Sequence, residues 1–216
     1  GKLLHRVNEH GTPLKSGYPL MAFSADNRRL IAQLPHGPKH WDVANGKQLD
    51  PTPPDPQQPN GIPALLGEAR AMAQQGDRAQ VSRDGQWAVR PSGTGAVVYA
   101  RLASAGDGSR ASWDSADPSQ YAPASGPLLI GHEGAVYCAA MHPDGTRIAT
   151  GGNDATIRIW DTETREQLLV LHGHESYVHD LEFSPDGTML ASASGDATVR
   201  LWDTLSLSER RAKQRR

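Results

Sequence analysis

Along residues 132–171 the apolar positions recur every second residue rather than at the helical period of about 3.6, the mark of strands with one face turned inward. Val136, Ala139 and Met141 predict one strand and Ile148-Ala149-Thr150 a second. Ile157-Arg158-Ile159-Trp160 predicts a third and Leu168 to Leu171 a fourth. Between them fall Pro143-Asp144-Gly145 and Gly152-Asn153-Asp154, which read as hairpin turns because Asp accepts local amide bonds and Gly supplies positive φ. Four short antiparallel strands cannot bury both faces of their sheet alone. Stacking such sheets radially does bury them and leaves only short protected edges.

The pattern is written twice. Gly131-His132, Pro143-Asp144-Gly145 and Trp160-Asp161 return as Gly173-His174, Pro185-Asp186-Gly187 and Trp202-Asp203, each at an offset of 42 residues with no insertion or deletion. Weathered copies precede this pair. In the first, Leu20-Met21-Ala22-Phe23, Arg29-Leu30-Ile31-Ala32 and His40-Trp41-Asp42 read as strands, with Asn27 able to take the left-handed conformation in the turn between the first two. In the second, Ala79-Gln80-Val81-Ser82 leads through Arg83-Asp84-Gly85 to Trp87-Ala88-Val89, and Pro127-Leu128-Leu129-Ile130 supplies the last strand. Its tryptophan position is open between Tyr99, which keeps the regular spacing from the turn, and Trp113.

The Gly-His … Trp-Asp unit with its Pro-Asp-Gly turn resembles the WD40 repeat of β-propellers, fully over 131–203, partly over 18–49 and faintly over 79–130. The resemblance implies an all-β propeller segment of about four four-stranded blades, two regular and two degenerate, belonging to a larger ring, since such rings commonly hold about seven. The expected order begins with 1–5, the final strand of a preceding or closing blade, and 14–50, a degenerate blade. A Pro-rich loop (51–63) and a second degenerate blade (64–130, with an insertion at 103–125) follow. Regular blades at 131–172 and 173–204 and a basic helical tail or linker (205–216) complete it. Residues 64–75 read equally as a short helical turn or a degenerate strand. If Gly1 to Leu4 pairs with the last blade, the ends meet; otherwise both ends are cuts through a larger protein, the alternative this reading favours.

The resemblance also implies a locking network in each regular blade: His132, Thr150, Asp154 and Trp160, then His174, Ser192, Asp196 and Trp202. An imidazole bridging a carboxylate and a hydroxyl satisfies groups that would cost about 1–3 kcal/mol each to bury unpaired. The positions matching Thr150 are Ala32 and Arg90 in the degenerate blades, so those are expected to be held by strand packing alone. Partner binding in such propellers gathers on the face where the first-strand approach meets the second-to-third turns. The positions carried over are Ala135, Tyr137 and Asn153, then Tyr177, His179 and Gly195.

Composition narrows the chemistry. A formal net charge of −2 gives no general attraction to nucleic acid or acidic membranes, and the basic tail Arg210 to Arg216 has no aromatic platform for bases. No apolar run reaches the roughly 18–20 residues of a membrane span. The single Cys138 excludes an intrachain disulfide and reads as a half-buried, inert thiol. His172-x-His174 lacks further ligands at metal spacing, and no Gly-x-Ser-x-Gly elbow accompanies the Ser, His and Asp residues, so neither metal, cofactor nor catalysis is expected. The resulting expectation is a non-catalytic, cytoplasmic scaffold that binds other proteins or peptides. The alternative is the sensory or docking region of a larger enzyme, such as a bacterial protein kinase fusion.

Overall fold

A computed structural model describes residues 2–8, 20–24, 26–34, 37–49, 80–81, 86–101, 121–123 and 128–205. The Pro-rich stretch, residues 64–75, Trp113 and the basic tail beyond Leu205 lie outside them. The described residues form strands and no helix, in four antiparallel sheets. Blade I is β2 (Leu20–Phe23), β3 (Arg29–Leu34), β4 (Gly37–Asp42) and β5 (Gln48–Leu49). Blade II is β6 (Gln80–Val81), β7 (Trp87–Ser92) and β8 (Gly95–Arg101), whose outer side carries β9 (Tyr121–Pro123) and β10 (Leu129–Ile130). Blade III is β11 (Val136–Met141), β12 (Arg147–Gly152), β13 (Ile157–Asp161) and β14 (Gln167–Leu171). Blade IV is β15 (Val178–Phe183), β16 (Met189–Ser194) and β17 (Thr198–Asp203), completed by β1 (Lys2–Asn8).

One register runs through all four sheets. Trp41 sits opposite Leu30, Trp160 opposite Ile148 and Trp202 opposite Leu190. In blade II the equivalent pair is Ala88 and Tyr99, so Tyr99 holds the tryptophan position. The turns follow the same logic, with positive φ at Asn27 (59°), Gly145 (75°) and Gly187 (70°).

Two expectations change. The sequence reading favoured unpaired ends, but β1 pairs with β17 from Lys2 opposite Asp203 to Asn8 opposite Thr198. The physical reason is the outer edge of β17, whose free N–H and C=O groups would otherwise stay unpaired. The stretch 103–125 is also not all insertion, because Tyr121–Pro123 pairs with Tyr99–Arg101 as β9. Pro123 is tolerated there because an edge strand can spare a donor.

Three buried clusters join the blades in the spatial order II, III, IV, I. Val89, Val98 and Leu129 of blade II meet Met141, Ile148 and Trp160 of blade III. Cys138, Ala140 and Ile157 of blade III meet Val178, Leu181, Phe183 and Trp202 of blade IV. Ala191, Ala193 and Leu201 of blade IV meet Phe23, Leu30 and Trp41 of blade I. Cys138 is therefore fully buried, not half-buried, with Sγ 3.6 Å from the Val178 carbonyl across the joint.

Candidate interaction face

The regular blades are locked near the end of the sheets where the second-to-third turns lie. In blade III, Nδ1 of His132 donates to Asp154 at 2.9 Å, and Nε2 stands 2.8 Å from Oγ1 of Thr150. The indole N–H of Trp160 donates to that same hydroxyl at 2.8 Å. Blade IV repeats the chain of bonds: His174 to Asp196 at 2.8 Å, His174 to Ser192 at 2.8 Å and Trp202 to Ser192 at 2.8 Å. A neutral imidazole with its proton on Nδ1 satisfies every member, as the hydroxyl accepts from the indole and donates to Nε2. Thr150 and Ser192 have no exposed surface, so leaving either unpaired is costly.

The network also positions the loops. The backbone N–H groups of Glu133 and Glu175 donate to Asp154 and Asp196 at 3.0 Å, tying the approach to each blade to its second-to-third turn. Burial pushes the Asp196 carboxyl up. The Thr198 hydroxyl, the Glu175 N–H and His174 together outweigh it and hold the group at about 2. Asp154 is likewise held well below the usual carboxylate range against its own burial, by His132, the Glu133 N–H and Thr156.

Sequence reasoning missed the outer members of this network. Thr156 and Thr198 donate to the aspartates at 2.8 and 2.6 Å, and the guanidinium groups of Arg158 and Arg200 stand 3.7 and 3.9 Å from them. The signal was present as Asp-Ala-Thr-x-Arg, at 154–158 and again at 196–200. Ser192, His174 and Asp196 have the connectivity of a hydrolytic triad. Ser192 is sealed, however, and its oxygen already receives the Trp202 N–H, so it offers no nucleophile to a substrate. His172 is exposed, whereas His174 is buried in the lock.

The carried-over face positions come together across blades III and IV. Tyr137 is 48% exposed, and its ring meets Tyr177 edge to face at a centroid distance of 5.7 Å. Tyr177 continues to His179 at 6.1 Å. The Tyr137 hydroxyl donates to Oδ1 of Asn153 at 3.2 Å. Ala135 and Asn153 are exposed and joined by a backbone bond of 2.8 Å; Tyr177 and the exposed Gly195 repeat that bond at 2.9 Å. The sizes are exchanged between the two pairs. A Cβ at Gly195 would stand 2.6 Å from the Tyr177 ring, so the glycine makes room for the tyrosine that replaces Ala135. The Gly93 carbonyl of blade II accepts the Val136 N–H at 2.8 Å, bringing the β7–β8 turn beside this ledge.

Antiparallel sheets stacked face to face, two of them locked by equivalent sets of four side chains, are the blades of a β-propeller fold. Residues 126–161 and 165–203 match the WD40 family (WD domain, G-beta repeat), so this stretch carries WD40 repeats. Among similar curated proteins, Protein hir1 of Schizosaccharomyces pombe is 61% identical over 33 residues, covering 15% of this chain and 4% of the relative. The Ribosome biogenesis protein erb1 of Botryotinia fuckeliana is 49% identical over 41 residues, 19% of this chain and 5% of the relative. The human U5 small nuclear ribonucleoprotein 40 kDa protein is 50% identical over 34 residues, 16% and 10% respectively. The chain thus matches no more than about a tenth of these relatives' lengths. Among the described residues no helix is long and apolar enough to cross a membrane.

Proposed function

We propose that the chain is a protein-interaction scaffold without catalysis of its own, binding protein or peptide partners on the face that carries Ala135, Tyr137, Asn153, Tyr177, His179 and Gly195. The observation that carries this reading is the Tyr137–Tyr177 edge-to-face pair, which spans two blades and keeps Tyr137 about half exposed. Tyrosines held this way give large contact area at little entropic cost, the quality that interface centres favour. Beneath them the locked backbone keeps the ledge in one shape, so less conformational entropy is lost on binding. The relatives fit such a role by name, one in ribosome biogenesis and one in a small nuclear ribonucleoprotein. A reducing, cytoplasmic setting fits a fold whose lone Cys138 is a buried free thiol.

Site-specific photo-cross-linking tests the reading. A benzophenone amino acid at Tyr137 or Tyr177 is expected to trap discrete partners in cells, while the same group at Glu163, an exposed position at the opposite end of blade III, is not. Equal trapping from Glu163, or none from either tyrosine, rejects this face as the partner site.

A further inference from the structure

We infer that the tyrosine ledge takes a peptide segment bearing lysine or arginine, an inference that rests on the scaffold reading above. The first observation is continuity. Glu133, Gly134, Asn153 and Tyr137 form one surface in blade III: the Glu133 N–H is fixed on Asp154, a Cβ on Gly134 would touch Asn153, and Asn153 receives the Tyr137 hydroxyl. Blade IV continues it through Glu175, fixed on Asp196, and through Ser176 and Tyr177, both lying against Gly195. Two exposed carboxylates therefore stand at matching places along a ledge whose middle is aromatic.

The second observation concerns the cations. The arginines nearest this end of the two blades, Arg158 and Arg200, have side chains only 15% and 6% exposed and lie beside Asp154 and Asp196. They balance the buried aspartates and leave the charges of Glu133 and Glu175 facing solvent. A long cationic side chain fits this pattern twice over. Its methylene stem covers a tyrosine ring, its charge is favoured over the ring face, and its head group reaches a carboxylate at the rim. An acidic or phosphorylated segment would meet two like charges and, among the described residues of blades III and IV at this end, only the two arginines already set beside Asp154 and Asp196.

The test uses the full chain and fluorescence anisotropy with a fluorescein-labelled peptide of alternating glycine and arginine, against a glycine–glutamate peptide of equal length. The arginine peptide is expected to bind and the glutamate peptide not. Binding should weaken as salt rises and the screening length falls from about 10 Å at 0.1 M to about 3 Å at 1 M. Glu133→Gln with Glu175→Gln should weaken it about tenfold, and Tyr177→Ala by a similar factor. Glu163→Gln with Glu166→Gln, at the other end of blade III, should leave it unchanged. Equal binding of both peptides, no binding of the arginine peptide, or indifference to the Glu133 and Glu175 changes overturns the inference. If the arginine peptide fails while cross-linking at Tyr137 and Tyr177 still traps partners, the charge preference is wrong and the scaffold reading stands. If both fail, both fall.

Discussion

The carboxylate of Asp180 in blade IV accepts the backbone N–H of Met21 in blade I at 3.2 Å. Glu182 does the same for Phe23 at 3.3 Å. In blade III the matching positions are Cys138 and Ala140, which pack into an apolar cluster against blade IV. The joint that brings the start of the chain to its end therefore adds charge-assisted bonds to the unpaired side of β2, an edge strand.

Removing that acceptor should loosen this joint selectively. Asp180→Ala is expected to cost about 1–3 kcal/mol, because the Met21 amide is left buried without a partner. Amide hydrogen exchange at Met21 and Phe23 should speed up while that of Ile148 to Thr150 in blade III holds. Unchanged exchange at Met21 would show that the contact does not secure blade I.

The lock of blade III should separate into packing and hydrogen-bond parts. Trp160 is 3% exposed, fills the cluster between blades II and III, and donates to Thr150. Trp160→Ala should cost about 3–5 kcal/mol. Trp160→Phe keeps most of the ring and deletes the donor, so it should cost clearly less. Denaturant midpoints read both, and equal losses would mean that the N–H carries the whole contribution.

Acid should unlock blade IV. The folded carboxyl of Asp196 is held at about 2, below an unfolded value near 3.8. A depressed folded value means the stabilisation is complete above about 4 and is lost as pH falls through about 2, an effect of about 2 kcal/mol. Asp196→Asn should lower stability at neutral pH and flatten the fall between pH ~4 and ~2. Parallel pH profiles for the two proteins would place the acid sensitivity elsewhere.

What could be read from the sequence is what repeats locally. The strands of blades III and IV, their Asp-Gly turns and the four side chains of each lock lie within one unit that recurs 42 residues on, so each copy checks the other. The Tyr177–Gly195 exchange against Ala135–Asn153 was visible at the same offset, as a large residue gained where a side chain was lost. Thr156 and Arg158 were passed over because a polar residue alternating with Ile157 and Ile159 looks like an ordinary solvent-facing position in a strand. The long-range joints left only a partial mark: residues 1–5 read as the final strand of a preceding or closing blade, with nothing local to choose between the two. Lys2–Asn8 mixes apolar, basic and polar residues, and its partner β17 lies at the far end of the chain. Asp180 and Glu182 interrupt an inner strand for a reason that appears only when Met21 and Phe23 are brought beside them.

The turn of blade IV offers a test in which backbone strain and side-chain collision can be told apart. Gly187 has φ +70°, and a Cβ there would lie 2.4 Å from Nε2 of His142, the ring that spans the joint between blades III and IV. His142 is fixed in that place by Asp144 on Nδ1 at 2.6 Å, by the Gly187 carbonyl on Nε2 at 2.9 Å, and by an edge contact with Phe183. Gly93, at φ +58°, has nothing within 4 Å of the same added atom. Gly93→Ala should therefore cost only the left-handed backbone penalty of about 1–2 kcal/mol. Gly187→Ala carries that penalty and the collision, so its melting point should fall further. In a His142→Ala background the collision partner is gone, and Gly187→Ala should return to a cost like that of Gly93→Ala, making the two changes non-additive. Strict additivity in this double-mutant cycle would mean that His142 does not crowd the turn, and that backbone conformation alone keeps glycine at position 187.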